Sequence, residues 1–170
     1  MKIIFVDGYN VINSWPNLKK EKKYSFEGAR RTLIDILHNY SVYEECKIVI
    51  VFDAHMVAGS IEKKEEVYKN LSVIFTKDGE TADSYIEREV HNIGRKYEVY
   101  VVTSDWLQQQ IIFQRGAVRI SSIEFYNEVL KTQNKITNVK SSIQDNVKNN
   151  LGDNLEEDII KKFEAWRRGK

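Results

Sequence analysis

One cysteine and one proline are all that 170 residues hold of either type. A lone thiol, Cys46, excludes a disulfide framework, a CxxC pair and a cysteine-based zinc site. With no placed histidine partner it reads as a bystander beside a strand. No apolar stretch approaches the roughly 18 residues that a membrane-spanning helix needs. The opening segment MKIIFVDG reaches a charged aspartate after four apolar residues, too short a run for a signal peptide, so the expected location is the cytoplasm. An excess of one charge is also missing: 26 Lys and Arg stand against 25 Asp and Glu, a net charge of +1. That balance excludes a uniformly basic surface and leaves any polyanion to local patches. Two such patches are visible, Lys19, Lys20, Lys22 and Lys23 after the first strand, and Arg167, Arg168 and Lys170 at the end of the chain.

What is present reads as one folded core. An apolar fraction of 42% supports a globular body, and the length suits a single core with no internal repeat. Three apolar runs each stop at an aspartate: IIFV before Asp7, IVIVF before Asp53 and VYVVTS before Asp105. Short continuous apolar runs separated by helix-length segments predict buried parallel strands, and ligands of such sheets gather at the strands' carboxyl ends. The predicted strands are about 2–6, 48–52, 71–75, 99–103 and 117–120, with the third suited to an edge by the alternation around Val73 and Phe75. A loop containing Trp15 and Pro16 follows the first strand. Ser25 caps a helix to about Tyr43 whose buried stripe is Ala29, Leu33, Ile36, Leu37 and Tyr40. Residues after Asp53, through Glu62 to Glu66, read as irregular with a helical turn or two. Thr81 caps a helix to about Arg95, Ser104 caps another that Gly116 stops, and Ser121 to Glu124 has capping-box spacing for a helix to about Lys131. The alternation predicts a three-layer α/β/α sandwich over 1–132. Residues 133–170 form an extension: a polar stretch to Asn154, read as linker or weakly packed helix, then an amphipathic helix with Leu155, Ile159, Phe163 and Trp166 on one face.

Asp83 sits in the first turn of the helix that Thr81 caps, where the macrodipole favours an anion. With Asp7, Asp53 and Asp105 it makes four carboxylates at strand ends or helix starts. Like charges about 4 Å apart repel by about 4 kcal/mol at an effective dielectric near 20, so such a cluster is protonated or holds a cation. All-oxygen donors select Mg²⁺ or Mn²⁺, and a hard cation with open positions suits hydrolysis of a phosphodiester. Asp7 and Asp105 are the expected core ligands, Asp83 a third ligand or the group holding the attacking water, and Asp53 an outer acid. Asn10 stands where its amide orients a water or a phosphate, or serves a turn. Thr103 and Ser104 are candidates for a hydrogen bond to substrate, Ser104 reading also as structural. Lys20, Lys22, Arg167 and Arg168 are candidates for the phosphates of a polyanionic substrate, and Trp15 or Tyr9 for stacking on a base of a nucleic acid if not packed in the core. Glu80 and Glu87 are spare acids, His55 a solvated loop residue, and His38 and His91 helix-surface residues.

Asp7-Gly8-Tyr9-Asn10-Val11-Ile12, Val51-Phe52-Asp53, Thr81-Ala82-Asp83 and Thr103-Ser104-Asp105 together resemble the NYN domain, a PIN-like nuclease family. Trp15, Gly116-Ala117 with Ile120-Ser121-Ser122, and Trp166-Arg167-Arg168-Gly169 are similar to its bacterial YacP-type branch. The resemblance covers nearly the whole chain. It implies a mainly parallel PIN-like sheet of order 3-2-1-4-5, a Mg²⁺ or Mn²⁺ site formed by Asp7, Asn10, Asp53, Asp83 and Asp105, and endoribonuclease activity. It also implies mRNA as substrate in association with the ribosome, and no small-molecule cofactor.

Three other classes fit the residues less well. A non-catalytic RNA or ribosome adaptor with the same fold gains nothing from four clustered negative charges. A haloacid-dehalogenase phosphatase needs a second acid two residues after the first, where this chain has Tyr9. A response-regulator receiver needs a lysine after the penultimate strand, where Ser104 and Asp105 stand.

Overall fold

A computed structural model describes residues 1–54, 63–104 and 116–141. The chain divides into two units, Met1–Thr132 and Gln133–Lys170. In the first unit, strand β1 (Lys2–Asp7) runs through the middle of the sheet, parallel to β2 (Lys47–Phe52) on one side and β5 (Glu98–Val102) on the other. β4 (Leu71–Phe75) lies parallel beyond β2, and β6 (Val118–Ile120) parallel beyond β5. An antiparallel strand β3 (Lys63–Tyr68) pairs outside β4, giving the order β3-β4-β2-β1-β5-β6. The five strands predicted from apolar runs therefore take the order 3-2-1-4-5, with one strand added.

That added strand corrects two expectations. Residues 63–66 were expected to be irregular, but Lys63 to Tyr68 is a strand whose charged, exposed residues carry no apolar alternation. Leu71–Phe75 is not an edge, because β3 covers it and four of its five residues are buried. Lys63, Lys64, Glu65 and Glu66 now stand on the outermost strand, where charge discourages pairing with another chain.

Successive residues of β1 face opposite sides and build two cores. Ile4 and Val6, with Ile48, Ile50 and Phe52, pack against α1 (Gly8–Ser14), α2 (Pro16–Lys22) and α3 (Phe26–Tyr43) through Val11, Ile12, Trp15, Leu18, Leu33 and Leu37. Phe125 and Val129 join them from α5 (122–141). Ile3 and Phe5, with Val51, Val99 and Val101, pack against α4 (Ala82–Ile93) through Ala82, Tyr85, Ile86 and Val90. Apolar side chains on both faces explain why the strands read as continuous runs. The capping residues act as expected: Ser25 accepts from the Gly28 amide at 3.0 Å, and Ser121 and Glu124 bond reciprocally at 3.2 and 2.9 Å.

The loop expected around Trp15 and Pro16 is instead two short helices that meet at Trp15, with Pro16 at the first position of α2, where its missing N–H costs nothing. Trp15 is completely buried against Phe125 and Tyr126, and its Nε1 donates to the Ser122 carbonyl at 2.9 Å. This rules it out as a base-stacking platform. In the second unit residues 133–141 are helical, and the predicted helix 155–168 lies outside the described residues. Among the described residues, no helix is long and apolar enough to cross a membrane.

Trp15→Phe keeps most of the buried ring but leaves the Ser122 carbonyl without its donor. We expect a loss of about 1–3 kcal/mol in urea unfolding; an unchanged midpoint would show that this hydrogen bond does not hold α1 to α5.

Candidate active site

The site is built where β1 stops. Asp7 is both the last residue of β1 and the N-cap of α1, and its Oδ1 accepts the Asn10 amide at 3.0 Å. The chain turns from strand to helix with Gly8 in contact with Phe52: a Cβ on Gly8 would lie 2.3 Å from the Phe52 ring, so no side chain fits there. Register places Asp7 opposite Val51 of β2, two residues before Asp53, while Val6 stands opposite Val102 of β5. Asp53 is partly exposed at the carboxyl end of β2, on the same sheet edge as Asp7. On α4, Thr81 accepts the Ser84 amide at 3.2 Å as the predicted N-cap, and Asp83 lies in the first turn, partly buried.

Electrostatics tie three of the acids together. The Asp7 carboxyl is pushed up to about 6, first by burial and then by the negative charges of Asp83 and Asp53, against the lowering effect of the Asn10 and Tyr9 amides. Asp7 therefore lies within the field of both other acids. Among the described residues, no three histidine, cysteine or acidic side chains come close enough to hold a metal ion by themselves. Asp105 lies outside the described residues. The donors in place fit a hard divalent cation in kind: they are oxygens only, and burial, with the charges of two neighbouring acids, drives one carboxylate toward protonation.

Two polar ties hold the surroundings of these acids, one of them, through Thr76, not foreseen from the sequence. Thr76, fully buried after β4, accepts the Ala54 amide at 3.1 Å and donates to the Glu80 carbonyl at 2.6 Å, while its own amide donates to the Phe52 carbonyl at 3.0 Å. It locks the segment carrying Asp53 to the turn that leads to Asp83. A hydroxyl at a strand end is its only sequence signal. Ser104 donates to Asn10 Oδ1 at 2.9 Å, joining the segment after β5 to α1 and fixing the Asn10 amide.

The remaining candidates separate. Thr103 is completely buried and its amide donates to the Ile120 carbonyl at 3.2 Å, so its backbone supports the sheet and its hydroxyl is not at the surface. Lys20 is exposed and Lys22 Nζ reaches Asn13 Oδ1 at 2.6 Å; both stand in the last turn of α2, where cations suit the helix dipole. Glu80 pairs with Arg88 and is not a spare acid, whereas Glu87 is partly buried one turn beyond Asp83. His91 is exposed as expected, but His38 is half-buried, stacked on Tyr68 of β3 with ring centroids 3.7 Å apart. Tyr9 packs on Phe26 and Phe52 at 5.1 and 5.3 Å. Arg167, Arg168, Trp166 and His55 lie outside the described residues.

A mainly parallel three-layer sheet with acids gathered at its central carboxyl edge is a nuclease-type fold. The chain belongs to the YacP-like NYN domain family, whose model matches residues 4–168. It is 41% identical to the YacP protein of Bacillus subtilis (strain 168) over 99% of this chain and 98% of that one. It also matches the crystal structure of Rae1 (YacP) from Bacillus subtilis with a TM-score of 0.75 and 39% identity, covering 99% of this chain and 96% of that chain. A mutant form of the same protein matches with a TM-score of 0.72 and 37% identity over 84% of this chain and 82% of the other.

The Asp7 shift has a stability consequence. An acid whose folded pKa lies above its unfolded value holds its proton more tightly when folded, so native stability falls as pH rises from about 4 through about 6. Asp7→Asn keeps an oxygen for the Asn10 amide and removes the charge. In chelator, the variant should exceed the wild type at pH 8 by up to about 3 kcal/mol in urea unfolding, with the gap closing below about pH 4. Equal stability at pH 8 would contradict the placement of Asp7.

Proposed function

We propose that the protein is a metal-dependent endoribonuclease that hydrolyses RNA phosphodiester bonds, with mRNA on the ribosome as its substrate in the cytoplasm. The observation that carries this reading is the Asp7 carboxyl at the end of the central strand, raised by burial and by Asp83 and Asp53. Membership of the YacP-like NYN domain family supports it. A charge cluster of this kind is unfavourable for binding a polyanion unless a cation is part of the site.

Asp7, Asp53, Asp83 and Asp105 would hold Mg²⁺ or Mn²⁺. When bound, such an ion supplies Lewis-acid stabilisation of charge on the phosphoryl oxygens and favours ionisation of water. Asp83, entering from α4, would hold the attacking water and take its proton as the water oxygen adds to phosphorus and the opposite P–O bond breaks, the leaving oxygen taking a proton from solvent to become the hydroxyl end of the second RNA fragment. Asn10, whose Oδ1 is engaged by Ser104, turns its amide nitrogen toward a phosphate oxygen. Asp53 sets the outer edge of the site. Lys20 and Lys22, and Arg167 and Arg168 from the end of the chain, are the cationic contacts for the strand. A net charge of +1 gives weak long-range attraction for free RNA, which suits a substrate delivered on a ribosome.

Asp7→Asn and Asp83→Asn, each confirmed folded by circular dichroism, should lower RNA cleavage in Mg²⁺ by about 100-fold or more. Chelator should abolish wild-type cleavage and added Mn²⁺ should restore it. Mapping RNA ends with and without active translation checks the ribosome. Cleavage at wild-type rate by Asp7→Asn would sink the assignment, and ribosome or RNA binding with no cleavage in any condition would favour an adaptor.

A further inference from the structure

The face of α3 beside the carboxyl ends of β2 and β4 carries a cation that the acid site does not account for. The guanidinium carbon of Arg30 lies 5.7 Å from the ring centre of Phe26, 5.8 Å from that of Phe52 and 5.6 Å from that of Phe75. Phe52 and Phe75 are the last residues of β2 and β4 and stack with centroids 5.6 Å apart. Asp53 directly follows Phe52, so Arg30 stands on the same sheet edge as the acids. Tyr9 joins the two groups. Its ring touches Phe26 and Phe52, and its hydroxyl, raised by burial, is lowered by Arg30 and raised by Asp53 and Asp7.

Arg30 is half-buried, yet among the described residues no carboxylate lies within ion-pair distance of it and no acceptor takes its N–H groups. Packing on aromatic rings uses the faces of the guanidinium and leaves its five edge donors. None of its nitrogens is both buried and without a partner, so those donors stand open to water at the rim of the rings, available to an anion. A partner suited to these donors is anionic, offers two oxygens to the fork, and lies along the sheet edge that carries the acids. A backbone phosphate meets all three conditions. Lys22 extends the same surface: its Nζ lies 5.8 Å from the Phe26 ring centre.

We propose that Arg30 binds a backbone phosphate of the RNA strand adjoining the scissile bond, with Tyr9 and Phe26 walling the path and Lys22 continuing it. This rests on the nuclease reading for the nature of the strand, and assigns Arg30 to binding and not to the chemical step.

The test uses the full chain with Asp7→Asn to stop cleavage, and measures anisotropy of a fluorescein-labelled short single-stranded RNA between about 50 and 200 mM salt. Arg30→Met, which keeps an apolar stem, and Arg30→Gln, which keeps a polar head, should each weaken binding about tenfold or more. Each should lower the slope of log affinity against log salt by about 0.7, the loss of one phosphate contact on a single strand. Arg30→Lys should keep the slope and recover part of the affinity. If Arg30→Met or Arg30→Gln binds RNA with the parent's affinity and slope, or if the parent binds no RNA, the proposal is overturned. The nuclease reading fails separately, as absence of cleavage by the otherwise unaltered protein while Arg30-dependent RNA binding persists.

Discussion

A carboxylate held partly out of water at the end of the central strand is the constraint on which the rest of the structure turns. Asp7 gains hydrogen bonds from the Asn10 and Tyr9 amides, but burial and the fields of Asp83 and Asp53 outweigh them, and its carboxyl is raised to about 6. A fold that wanted only a helix cap there has a cheaper choice in serine or asparagine, which cap without a charge. Keeping the acid is intelligible if a cation completes the site, and that is the basis of the proposed chemistry.

The surroundings serve that position in two layers. Thr76 and Ser104 are polar ties, one joining the segments that carry Asp53 and Asp83, the other fixing the Asn10 amide against the segment after β5. The second layer is aromatic. Gly8 leaves room for Phe52, and Phe52 in turn packs on Phe75, Tyr9 and Arg30. Acids on one side and an aromatic-bound cation on the other make an edge with both signs of charge, which a nearly neutral chain can use locally where it has no global field.

Much of this was legible because parallel strands buried on both faces leave uninterrupted apolar runs, and those runs ended at Asp7 and Asp53. The order of five strands and the caps at Ser25, Thr81 and Ser121 were legible for the same reason: each has a local chemical signature. β3 was not, since a charged outer strand is stabilised by pairing with β4 and not by its own pattern. Trp15, in an expected proline-containing loop, read either as a packed aromatic or as a stacking platform, and the tertiary contact to Ser122 shows it as core. Arg30 was invisible because an arginine on an amphipathic helix reads as solvated charge, and its three aromatic neighbours come from α3, β2 and β4, far apart in sequence.

The central claim, that the acids at the carboxyl edge form a site completed by a divalent cation, is tested most directly by following the Asp7 carboxyl carbon by NMR against pH, with and without Mg²⁺. The account predicts a midpoint near 6 in chelator that moves well below that value when Mg²⁺ is added. A midpoint near the ordinary value of about 4 in chelator, unmoved by Mg²⁺ or Mn²⁺, would contradict it.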